Sequence, residues 1–94
     1  MKLANYNALI NEILAQILAA QNNNQLPSLE QVQHFTRLAR NMPMHADEFW
    51  LAEAEDFAHL ADQLLLAVKD KRFEEAVQLV DSIKEAWSFF PENN

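Results

Sequence analysis

The chain has 94 residues and a formal charge of −7, from fourteen acidic against seven basic side chains, which disfavours direct binding to a nucleic-acid backbone because that needs clustered Lys and Arg. It contains no cysteine and no glycine, so disulfides, thiolate metal sites, cysteine nucleophiles, glycine-rich phosphate loops and strained nucleophile elbows are excluded by inventory. A domain of this length buries only about 60–65% of the surface its unfolded chain exposes, so its large apolar residues must fill one core well.

The amino terminus carries Lys2 but continues into an apolar pattern broken by Asn7, Asn11, Glu12 and Gln16, unlike the continuous core of a secretory signal. No apolar stretch approaches the roughly 18 residues of a membrane span. The expected location is the cytoplasm. A first helix is predicted over residues 5–20, with Leu3, Tyr6, Ile10, Ile13 and Ile17 on its inner stripe and Leu9 and Leu14 widening it. The polar tract from Gln21 to Gln25 reads as a loop.

Pro27-Ser28 opens a second helix, predicted over 28–42, in which Ser28 caps and Gln31 reaches back in a capping box. Val32, Phe35, Ala39 and Met42 form its stripe, and Pro43 is expected to stop it. The third helix is predicted over 46–69, with Asp47 and Glu48 in its first turn, where the helix dipole favours acids. The fourth is predicted over 71–90, with Asp70 as its cap. Trp50, Ala54, Phe57, Ala61, Leu64 and Val68 on the third helix, and Phe73, Ala76, Val80, Ile83, Trp87 and Phe90 on the fourth, recur at steps of four and three. That average of 3.5 nearly matches the helical turn, so each set makes one apolar stripe. The expected fold is a single all-α domain, 1–94, an antiparallel up-down four-helix bundle, with completion of the core by dimerisation as the alternative.

Several residues have the right type for chemistry. His59 has Glu55 and Asp56 before it and Asp62 after it, and an acid three residues before a histidine is the spacing of carboxylate-bridged di-iron bundles. Those residues fall opposite Phe57 and Ala61, on the outer face, so a solvated face is the expected reading. Met42, Met44 and His45, with His34 nearby, supply soft and imidazole ligands suited to haem or copper. Methionines at a helix end more often serve as packing filler.

The hairpin from Phe57-Ala58-His59-Leu60-Ala61-Asp62-Gln63-Leu64 through Ala67, a short charged turn and a long final helix resembles the last two helices of the four-helix cytochromes, the cytochrome c′ type especially. Where that family carries Cys-x-x-Cys-His, this chain reads Glu85-Ala86-Trp87-Ser88-Phe89-Phe90. The resemblance therefore implies a shared scaffold without its haem, its volume filled by Trp87 and Phe90. Phe73-Glu74-Glu75-Ala76-Val77 also looks like the second helix of a tetratricopeptide repeat. A single unit of that kind cannot bury its own core.

Surface composition is the more informative signal. The outer face of the first helix offers Ala8, Asn11, Ala15 and Ala19 with Leu18 beside the core stripe, and Leu66 and Phe89 fall outside their stripes. Small, uncharged residues let two helices approach without stranding a charge, so these seven are the expected interface of a non-catalytic, self-associating homodimer with no cofactor, metal or catalytic residue. Charge suggests an alternative. Residues 1–42 hold Lys2, Arg37 and Arg40 against Glu12 and Glu30, a net +1, which leaves −8 on residues 43–94. That acid could meet a basic protein or mimic nucleic acid. A haem or metal carrier is the third possibility.

Overall fold

A computed structural model of the chain describes residues 3–45, 48–49 and 51–88, and the side chains of residues 3–7 and 45 lie outside that description. Four helices run in order: α1 (Leu3–Asn22), α2 (Leu29–His45), α3 (Leu51–Lys69) and α4 (Phe73–Ser88). Consecutive helices pack side by side, α2 with α3 most extensively, and α4 returns to touch α1, closing a four-helix bundle of 36 × 20 × 20 Å. Among the described residues there is no strand.

The predicted stripes are the core, except that Phe73 at the start of α4 is only half-buried. Ile10, Ile13, Leu14 and Ile17 of α1, Val32, Phe35, Ala39 and Met42 of α2, Ala54, Phe57, Ala61, Leu64 and Val68 of α3, and Ala76, Val80, Ile83 and Trp87 of α4 are all buried. Trp50, Phe90 and the side chains of Leu3 and Tyr6, assigned to the same stripes, lie outside the described residues. Three aromatic rings tie three helices at the centre. Phe35 meets Phe57 edge-on, centroids 5.6 Å apart at 72°, and Phe57 meets Trp87 at 5.5 Å and 35°; offset and edge-on contacts of this kind add to what burial alone contributes. Alanines at 39, 54 and 61, wholly buried, bring α2 and α3 close enough for the Thr36 hydroxyl, itself buried, to reach Ala61 O at 3.3 Å as well as Val32 O at 2.8 Å. A buried hydroxyl needs such acceptors.

Helix ends depart from expectation in ways that local chemistry explains. α1 runs two residues beyond the predicted end, and the Asn-rich tract then closes it: Asn24 N–H donates to Gln21 O and Gln25 N–H to Ala20 O, both at 3.0 Å, with Asn24 at φ 58°. This is the Schellman arrangement, which satisfies carbonyls that the helix leaves without partners. Asn23 Nδ2 adds a bond to Ala19 O at 3.1 Å. The same device ends α3, where Lys71 at φ 58° donates to Val68 O at 3.1 Å and Arg72 to Ala67 O at 2.9 Å. Asp70 therefore belongs to the end of α3. It is not the cap of α4, whose first turn closes from Ala76 N–H to Arg72 O.

Ser28 caps α2 as expected, its Oγ accepting from Gln31 N–H at 3.0 Å. The Gln31 side chain is directed to α1, where its Nε2 donates to Gln16 Oε1 at 3.1 Å. Pro27 and Val32, both buried, hold the positions of a hydrophobic staple across this helix start. Pro43 does not stop α2, which continues to His45. A proline disfavours helical geometry in the residue before it and removes one hydrogen bond, but that residue is Met42, and its burial anchors it in the helix. His45 is thus at the end of α2, Glu48 is in a turn, and α3 starts only at Leu51. Asp47 lies outside the described residues.

Candidate interaction surface

Among the described residues α1 is held mainly on one flank. It packs along α2 and touches α4 only slightly. On the α4 side the seam is bridged by the indole N–H of Trp87, which donates to Asn11 Oδ1 at 2.6 Å, and Leu18 is half-buried against the core. Asn11 and Leu18 therefore serve the monomer itself, although the carboxamide of Asn11 keeps its outer side exposed. Ala8, Ala15 and Ala19 are exposed on the outward face, and Glu12 is the one charged residue of α1. Leu66 projects from α3 at 56% exposure. Phe89 lies outside the described residues.

A groove of about 240 Å³ follows the α1/α2 seam, lined by Leu9, Glu12, Ile13, Gln16 and His34. Leu9, expected to widen the inner stripe, stands instead on the groove wall at 37% exposure. A second groove of about 270 Å³ runs between α2 and α3, bounded by Gln33, Thr36, Arg37, Arg40 and Leu65. Neither groove is legible from residue spacing, because each is shaped by two helices distant in sequence. The one weak sign of the first was a leucine at the margin of the α1 stripe.

The residue types suited to chemistry are dispersed. Met42 is wholly buried while Met44 is 80% exposed; two positions apart on a helix they point about 200° from each other and cannot share a ligand. The side chain of His45 lies outside the described residues. His59 is exposed, with its Nε2 3.2 Å from Gln63 Nε2. Asp62, counted among its acidic neighbours, turns to α2 and accepts from Arg40 Nε at 2.9 Å. Among the described residues no group of three or more His, Asp or Glu is placed to hold a metal ion. Arg72 at the α3/α4 turn pairs with Asp70 and Glu75. Exposed pairs such as these contribute only about 0.2–1 kcal/mol each.

No described helix is long and apolar enough to cross a membrane. No family model, curated protein or solved structure matches the chain.

Proposed function

We propose that this protein is a non-catalytic interaction module of the cytoplasm that associates with a second copy of itself through the outer side of α1. The observation that carries this reading is that α1, among the described residues, meets α4 far less than it meets α2, with Ala8, Ala15 and Ala19 exposed and Glu12 its one charge. Helices meant for solvent usually carry dense charge on that side.

The helices are read as an antiparallel up-down order. Gln16 bonds Gln31 near the α1/α2 connection, and Ile13 shares a groove with His34 farther from it, so position falls along one helix as it rises along the other.

Mass measurement in solution at micromolar concentration tests the proposal. A dimer is expected, and Ala15→Arg should weaken it while far-UV circular dichroism stays unchanged, because the substitution puts an unmatched charge into a close helical contact. A strict monomer sinks the reading. A second reading is favoured by α3 and α4, each with three more acids than bases, as a surface for a basic partner. The two differ in salt response: an apolar dimer should hardly change across physiological ionic strength, whereas capture of a basic protein should weaken steeply.

A further inference from the structure

Four residues of α2 with hydrogen-bonding side chains stand on one stripe. Gln33, Thr36, Arg37 and Arg40 fall within about 100° of one another around the helix. Together with Leu65 of α3 they bound the groove of about 270 Å³ between the two helices. Thr36 is buried and its hydroxyl donates to backbone carbonyls, so it belongs to the floor. Leu65, half-buried against the core, supplies an apolar wall. Gln33, Arg37 and Arg40 are exposed and supply the polar one.

Charge at this seam runs against the rest of the molecule. In a chain of net charge −7, α2 is the one helix with a positive sum, Glu30 against Arg37 and Arg40. Like charges one turn apart weaken a helix slightly, so the two arginines are not explained by helix stability. Arg40 has an internal partner, since its Nε and Nη2 both reach Asp62 Oδ1 at 2.9 Å. Arg37 makes no ion pair among the described residues. Arg37 and Arg40 against Asp62 leave the groove with one surplus positive charge.

We infer that this groove binds a small monocarboxylate, with its two oxygens on the Arg37 guanidinium, the Gln33 amide as a neighbouring donor and its short apolar part against Leu65. The planar fork of an arginine matches a carboxylate two bonds at a time, and a single surplus charge suits a monoanion better than a phosphate dianion. Size agrees with a small ligand: the groove lies just below the roughly 300–1,000 Å³ of ordinary small-molecule pockets. A polyanionic partner is disfavoured, because each further negative charge it brings meets a chain already at −7. The site lies between α2 and α3 and does not depend on self-association through α1.

Titration of the isotope-labelled full chain with sodium propionate, read from backbone amide and arginine Nε–H NMR signals against equal sodium chloride, tests the site. Saturable shifts are expected at residues 33–40 and 62–66 and at Arg37 Nε–H, with a dissociation constant of about a millimolar. Arg37→Gln should raise that constant about tenfold through loss of the charge-assisted bonds. Lys84→Gln, which removes the same charge from α4, should leave it unchanged. Each methylene added from acetate to butyrate should tighten binding up to about fourfold as it meets Leu65. Shifts that chloride reproduces, that spread equally to Lys69, Lys71 and Lys84, or that survive Arg37→Gln overturn the site. Equal binding of acetate and butyrate overturns the apolar wall, and inorganic phosphate binding more tightly than propionate overturns the carboxylate class.

Discussion

Lys71 and Asn24 take the left-handed backbone conformation, each at φ 58°, in a chain that has no glycine to offer. For an ordinary side chain that conformation costs roughly 1–2 kcal/mol, which asparagine partly avoids through local polar contacts. Lys71→Gly should therefore stabilise the fold by about 1 kcal/mol, after the extra freedom of glycine in the unfolded chain is set against the relief. Asn24→Gly should change little, and urea denaturation of the two variants is the check. Equal effects would mean that the backbone strain at Lys71 is not what limits the turn. Phe57 is the opposite kind of residue, touching rings on both α2 and α4. Phe57→Ala should cost about 3–5 kcal/mol through lost transfer energy and the cavity left behind, a large part of the about 5–15 kcal/mol by which small domains are stable. A loss below 1 kcal/mol in the same denaturation experiment would show that the centre collapses freely around the gap. The importance of Phe57 is legible from its place in a periodic stripe. The left-handed residues are not, because neither polar tract contains the glycine that would mark the position.

At the scale of elements, the helices differ in how firmly they are held. α2 and α3 share the widest contact, drawn close by three buried alanines and the Thr36 hydroxyl, while α1 lies against α2 and barely meets α4. Local opening should follow that order. In dilute solution, amide exchange at residues 10–17 is expected to be faster than at residues 35–39 and 57–64, and to slow as concentration rises if α1 forms the contact between copies. Uniform protection across the three segments would contradict this ranking. Helix number and inner faces follow from apolar periodicity, which is a local property. Ends are different. α2 passes through Pro43 because Met42 is anchored by the core, and α1 extends to Asn22 because the following asparagines close its last carbonyls.

At the scale of the whole molecule, charge is divided unevenly among the helices, α1 and α2 together being neutral while α3 and α4 are acidic. The imbalance can be counted along the chain, but its consequence depends on packing. Asp62 belongs to the acidic run, yet Arg40 on α2 neutralises it across the seam. Asn11 reads as surface, yet Trp87, 76 positions away, donates to it. What the order of residues determines unaided is an all-helical bundle with no glycine- or cysteine-based chemistry, since periodicity and inventory need no knowledge of distant neighbours. Only tertiary structure decided which helices share seams, which polar groups are consumed inside the monomer and where a groove opens, because each of these arises from side chains that meet only after the chain has folded.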